Sequence, residues 1–249
     1  MRNCYHIVKK TNLGNLYSLH QQKIRMKKLF LLAVSLTITA SFAIAQKGAK
    51  TGGAAAPAGP FEGTIDFIQS NGIDTTHYKY FVKGNNIKVD NPDPRTGNSE
   101  GMFLIDLTTK KMTALSPVRK IYFDQPSGVP VKPGGTPTMS KTGSVKKING
   151  YNCTEYLVVD AEEGLKIHYW MAGGHFDFFS GMLQVLNRKD KFSEYYLAMP
   201  EMKGMFPMLA VEEDIAGTKK GEMKAMNVTK STLGDDTFKI PAGYKEFKK

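Results

Sequence analysis

Period-two alternation runs through most of the chain from Phe61 onward. In FEGTIDF, the apolar Phe61, Ile65 and Phe67 fall on one side, and Glu62, Thr64 and Asp66 on the other. That is the pattern of a strand with one face buried. Tyr78, Tyr80 and Val82 repeat it; Gly84-Asn85 then turns the chain into Ile87 and Val89, with Lys88 and Asp90 opposite. MFLIDL and KMTALS flank Thr108-Thr109-Lys110 as a further hairpin, and KIYFD makes a short strand after them. Between Lys141 and Met171 the reading is a lead-in segment, an Asn149-Gly150 turn, a strand over Tyr151–Asp160, a turn at Glu163-Gly164 and a strand over Leu165–Met171. Asn-Gly is the strongest two-residue hairpin signal, because both central positions of a type I′ turn need positive φ.

One segment breaks this rhythm. In HFDFFSGMLQVLNR, Phe176, Phe179, Leu183 and Leu186 fall at 3-4-3 spacing, the apolar stripe of a helix. Phe178, Met182 and Val185 widen the stripe until little polar surface remains, so this helix is suited to lie across the concave side of a curved sheet. Gly181 inside it weakens the pattern. Phe192–Leu197 reads as a return to strand. Ala198–Leu209 reads as a loop pinned by Pro200 and Pro207, and Ala210–Ile215 with Gly221–Leu233 as the last strand pair. Gln125–Ser140 is a long Pro/Gly-rich loop whose composition favours disorder. The fold class expected is mainly β: a curved antiparallel sheet, a half-barrel, with a helix packed on its concave face.

The first 60 residues are patterned differently. Met26-Lys27-Lys28 leads into LFLLAVSLTITASFAIA, with Ala43 and Ala45 at the −3 and −1 positions before Gln46. A basic start, an apolar middle and an A-x-A site are the layout of a cleaved secretory signal. Residues 26–45 are therefore expected to be a signal peptide cut after Ala45, and the mature protein to be periplasmic without a stable membrane span. Residues 1–25 read as a mis-called extension upstream of the true start at Met26. Residues 46–60, QKGAKTGGAAAPAGP, read as a flexible linker, and 61–249 as the β domain. Gln46, not cysteine, stands at the cleavage point, so the chain is not expected to be a lipoprotein.

Removing the leader changes the charge argument. Residues 1–45 hold seven of the 34 Lys and Arg and none of the 23 acids, leaving 27 against 23. A small, spread excess is no nucleic-acid footprint, which would be a clustered stripe. Cys153 is the one cysteine beyond the leader; on its strand it shares a face with Leu157 and Val159 and is expected to be a buried small hydrophobe.

Candidate chemistry is sparse. Beyond the leader stand His77, His168 and His175, with no H-E-x-x-H, G-x-S-x-G or G-x-x-x-x-G-K-[ST] motif. His168 reads as a surface strand residue and Glu162-Glu163 as solvated turn charges. No enzyme activity, cofactor or dedicated metal site is expected. Met199, Met202, Met205 and Met208 recur every third residue. Such a run suits gap filling or contact with varied apolar ligands, and, through soft thioether sulfur, Cu(I).

The runs FEGTIDF, YFVKGNNIKVD, FLIDLTTKKMTAL, RKIYFD, KTGSVKKINGYNCTEYLV, KIHYWM and DDTFKIPAGYKEF together resemble the DUF4412 family of exported bacterial proteins. The most specific parts are I-N-G-Y-x-C-x-x-Y, the Trp170 strand and F-x-I-P-x-G-Y. That family is similar in layout to LolA/LolB-like envelope proteins, a strongly curved antiparallel sheet with helices on its concave face. The resemblance implies an interior able to hold lipid or acyl chains. The leading expectation is an exported, non-enzymatic binding protein for lipid or another apolar small molecule. Phe176, Phe179, Leu183, Leu186, Met199, Met202, Met205 and Met208 are its candidate ligand-binding residues. The alternatives are an envelope interaction protein with a protein partner, or a Cu(I) binder through the methionine run.

Overall fold

The computed structural model describes residues 59–128 and 132–248. The chain divides into two compact units, Met1–Gly53 and Ala54–Lys249. Every described residue lies in the second unit. The expected upstream extension and signal peptide and most of the expected linker fall outside the described residues.

The first six strands are β1 (Glu62–Ser70), β2 (Thr75–Lys83), β3 (Asn86–Pro92), β4 (Ser99–Asp106), β5 (Lys111–Ser116) and β6 (Ile121–Gln125). They form a plain antiparallel meander, each strand paired with the next. A second series holds β7 (Thr138–Ile148), β8 (Tyr151–Asp160), β9 (Leu165–Ala172), β10 (Phe206–Asp214) and β11 (Lys219–Lys230). β1 joins the two series by pairing antiparallel with β11. A two-residue strand, β12 (Lys245–Glu246), lies parallel to β6. The result is one curved, unclosed sheet in the order β12-β6-β5-β4-β3-β2-β1-β11-β10-β9-β8-β7.

Helices α1 (Phe178–Leu186) and α2 (Lys191–Ala198) interrupt the second series between β9 and β10. They cover one face of the sheet, where the apolar set of each strand collects. Ile65 and Phe67 of β1, Tyr80 and Val82 of β2, Ile167 and Tyr169 of β9 and Phe206 of β10 are buried beneath them. Phe179 meets Phe206 edge-on at 4.7 Å between ring centroids and Tyr196 at 4.9 Å. Burying a large apolar side chain stabilises by about 1.5–3 kcal/mol, so this aromatic seam holds the helix layer to the sheet.

The hairpin chemistry follows the sequence closely. Asn149 (φ 48°) and Gly150 (φ 83°) both take positive φ between β7 and β8, as a type I′ turn requires. Asn149 Nδ2 also donates to the Ala225 carbonyl at 2.8 Å, tying the turn to β11. Within β10, Pro207 is tolerated because the register with β9 shifts between Pro207 and Leu209. A bulge is one of the few strand positions where a missing N–H costs no ladder bond.

Three expectations change. Phe192–Leu197 is not a strand but the body of α2. Asp190 caps that helix, accepting from the Ser193 N–H at 3.1 Å. Phe192, Tyr195 and Tyr196 then share one buried helical face. The methionine loop is also ordered: Pro200–Met202 forms a 3-10 turn, and β10 begins at Phe206. Finally, the end of the Pro/Gly-rich stretch is strand, since β7 starts at Thr138.

After β11 the chain crosses back over the meander. Lys83 Nζ donates to the Leu233 carbonyl and the Asp235 carboxylate, both at 2.7 Å. The Leu233 N–H donates to Glu62 Oε1 at 2.8 Å. The strap ends as β12, with Phe247 edge-on to Phe123, and so covers the outer edge of β6.

Candidate functional site

Helix α1 is capped at its C-terminal end. Asn187 closes it in the left-handed region (φ 49°), its N–H donating to the Leu183 carbonyl, and Asn tolerates that conformation better than most residues. This turns Phe178, Phe179, Met182, Leu183 and Val185 into the core and leaves Gln184 exposed. Gly181 faces the turn between β4 and β5. A Cβ there would stand 3.2 Å from Leu107 Cδ1, so glycine at this position lets the helix approach Leu107 closely.

Beside that contact lies a groove of about 320 Å³, lined by Leu107, Lys110, Ser127, Gly128, Gly181, Gln184 and Val185. Its floor is apolar. Lys110, Ser127 and Gln184 supply polar groups around it. A smaller hollow of about 170 Å³ lies between Leu107, Phe61, His175 and Phe178. Ligand sites are typically concave, mostly apolar, with a few placed polar groups.

The candidate ligand residues sit behind this groove, in the core. Phe176, Phe179, Leu183, Met199, Met202 and Met208 are buried. Leu186 and Met205 are partly buried and packed against the same cluster. Phe179 and Leu183 border a void of only about 10 Å³, shared with Phe67, Tyr80, Arg188 and Met223, room for about one water. The structure thus brings Phe176, Phe179 and Leu183 together with the methionine run, as packing partners. The methionine run is held by Tyr196, whose hydroxyl lies 3.0 and 2.9 Å from the Met202 and Met205 carbonyl oxygens.

At the far end of α1 the polar groups gather. Arg188 Nε donates to Asp190 Oδ2 at 2.7 Å, its Nη2 donates to Gln69 Oε1, and its guanidinium lies 4.9 Å from the Tyr78 ring centroid. Burial works against its charge, but Tyr80, Asp190 and Tyr78 outweigh that and hold it firmly protonated. The Tyr169 hydroxyl donates to the Phe192 carbonyl at 2.8 Å, and burial pushes its pKa well up. Asp160 accepts from the Tyr195 hydroxyl at 2.7 Å and from the Glu162 and Glu163 N–H groups at 3.1 and 3.0 Å. Burial alone would raise Asp160; these donors overcome it and hold the carboxyl below its usual range. Glu212 goes the other way, raised by burial, with Asp190 adding to the effect and Lys191 and Lys220 opposing it. These groups pin the α1–α2 link and α2 to the sheet.

On the outer face, His168 Nδ1 lies 2.9 Å from Glu155 Oε1, and Lys146 Nζ stands 3.6 Å over the Trp170 ring. Cys153 is buried, and that burial raises its thiol pKa. Among the described residues, no group of three or more His, Cys, Asp or Glu side chains gathers closely enough to hold a metal ion. No helix among them is long and apolar enough to cross a membrane.

Sequence reasoning missed Leu107, Lys110, Ser127, Gln184 and the clamp at Arg188. The one local signal for the groove was Gly181, a residue without a side chain inside a helix of bulky ones.

A family model described as a domain of unknown function, DUF4412, matches residues 61–244. No curated protein matches the sequence. Among solved structures, an uncharacterized conserved protein from Thermus thermophilus overlaps 77% of this chain and 91% of its own, at 8% identity and a TM-score of 0.45. PNGF-II overlaps 75% of this chain at 10% identity and a TM-score of 0.39, and the chain spans only 30% of that protein. A domain from Vibrio parahaemolyticus, described as an outer membrane lipoprotein-sorting protein domain, overlaps 71% of this chain and 87% of its own, at 13% identity and a TM-score of 0.29. At this distance they bring no activity, ligand or partner with them.

Proposed function

The chain belongs to the DUF4412 family, and we propose that it is an exported, non-enzymatic binding protein for an apolar or amphiphilic small molecule. The observation that carries this reading is the groove of about 320 Å³ beside α1. Leu107, Gly181 and Val185 offer an apolar bed for a chain-like tail. Lys110, Ser127 and Gln184 stand where a polar or anionic head would rest. The volume falls at the lower end of ordinary small-molecule sites, which run about 300–1,000 Å³. The buried aromatic and methionine core behind the groove gives it a firm wall. Export rests on the leader pattern before Gln46.

Native mass spectrometry on protein purified without detergent from the exported fraction of its own cells tests the reading. Extra mass that disappears on organic extraction and matches a fatty acid or phospholipid is expected. Gln184→Trp, which fills the groove mouth from an exposed position, should remove that mass without disturbing the core. A clean apo mass, together with no binding of a fluorescent fatty acid, would sink the proposal.

A further inference from the structure

The two ends of the sheet differ in kind. Because neighbouring strands are antiparallel, β1, β3, β5, β8 and β10 all run the same way. The turns that follow them, at 71–74, 93–98, 117–120, 161–164 and 215–218, therefore emerge at one end. Of the seven large apolar side chains exposed among the described residues, three sit at the tips of strand-to-strand turns: Ile73 (91%), Val118 (84%) and Ile215 (52%). All three are at this end. The turns at the other end present Asn85, Thr108, Thr109, Lys110, Asn149 and Gly150.

A single exposed isoleucine needs no explanation, but aliphatic tips repeated at one end do. The Ile73 and Ile215 turns are neighbours, since β1 pairs with β11 and β11 with β10. The Val118 turn is four strands further along the arc, roughly 19 Å at the usual strand spacing. Exposed cations accompany them. Arg119 and Lys120 follow Val118, and Lys189 sits in the α1–α2 link beside Arg188, whose guanidinium bonds Gln69 at the end of β1. None of these three cations takes part in an ion pair among the described residues, whereas Lys219 and Lys220 are bonded to Glu222 and Asp214. The exposed acids of the same turns are Asp74, Glu162 and Glu163, the last paired with Lys191, so the cationic excess is concentrated at Arg119, Lys120 and Lys189.

We propose that this end of the sheet is a docking surface for an anionic phospholipid bilayer. Ile73, Val118 and Ile215 insert at headgroup depth, and Arg119, Lys120 and Lys189 lie against the lipid phosphates. Shallow apolar insertion combined with basic residues is the pairing that gives reversible interfacial binding. The inference does not rest on the groove, which opens beside the β4–β5 turn at the other end.

Tryptophans introduced by Ile73→Trp and Asn85→Trp test the orientation, with Trp170 as the common background. Brominated phosphatidylglycerol vesicles should quench the added emission at position 73 and leave that at position 85 nearly unchanged. In co-sedimentation with phosphatidylglycerol-containing vesicles, protein purified from the exported fraction and carrying Ile73→Ser, Val118→Ser and Ile215→Ser together should bind at least about tenfold more weakly than the parent purified in the same way. All three positions are exposed, so an unchanged urea midpoint is expected and confirms folding. Equal quenching at 73 and 85, or equal sedimentation of parent and triple variant, overturns the proposal.

Discussion

Arg188→Met would strip the clamp between the helix layer and the sheet while keeping most of the side chain's apolar stem. The structure sets the magnitude. Two charge-assisted hydrogen bonds disappear, one to Asp190 and one to Gln69, along with the guanidinium contact over Tyr78. Hydrogen bonds to charged groups contribute about 1.5–3 kcal/mol each, and breaking a buried ion pair costs about 3–5 kcal/mol. Two features pull the figure down. The Arg188 and Asp190 side chains retain 19% and 21% of their exposure, and Asp190 keeps its bonds from Ser193. A loss of about 3 kcal/mol follows, roughly a hundredfold in the folding constant. For a domain of this size that is a drop in Tm of about 6–12 °C. Urea titration followed by Trp170 fluorescence reads the change, and a double-mutant cycle with Gln69→Met isolates the link between helix and sheet. A loss below about 1 kcal/mol, or no coupling to Gln69, would refute the clamp.

Other substitutions probe separate parts of the account. Gly63 has φ 144°, and a Cβ there would meet the Thr229 carbonyl oxygen at 2.0 Å; Gly63→Ala should therefore cost about 2–3 kcal/mol or block folding, and a variant with the parental urea midpoint would contradict the close β1–β11 contact. Glu212 has a raised pKa, so the folded state binds its proton more tightly than the unfolded chain and loses stability as pH rises through the carboxylate range. Glu212→Gln should then be more stable than the parent at pH 7, with the difference vanishing near pH 3; a constant difference across pH would falsify this assignment. Asp214 is pushed down to about 2, chiefly by the Thr218 N–H and the bond to Lys220, so its contribution is present above the ordinary carboxylate range and fades as pH falls toward that value. Met202→Leu with Met205→Leu keeps the packing volume without sulfur, and an unchanged Cu(I) affinity by competition titration is expected; a large fall would establish thioether ligation instead.

Most strands were legible because each needs only local information. Alternation in FEGTIDF or LKIHYWM names the buried face, and Asn149-Gly150 names a turn type before any partner strand is known. Helix α1 was legible for the same reason, its apolar residues recurring at helical spacing. Helix α2 was not. Phe192, Tyr195 and Tyr196 are as acceptable in a strand as in a helix, and the deciding contact is the Asp190 cap, itself held by Arg188. The candidate ligand residues were found as a group, since a very apolar helix and a methionine run must meet an apolar surface. Whether that surface is core or pocket depends on how closely the opposing elements approach.

By itself, the sequence determined the β class, the hairpin turns and the helix across one face, each carried by residues near one another in the chain. It also determined the family, carried by short runs spread from Phe61 to Tyr244. Only the tertiary structure decided which strands are neighbours, that β1 closes onto β11, and that the C-terminal strap lies parallel to β6. It also decided that the groove falls at Leu107 and Gly181, and that Ile73, Val118 and Ile215 share one end. These are contacts between residues tens to well over a hundred positions apart. They arise from packing complementarity across the whole sheet, and no local alternation or spacing encodes them.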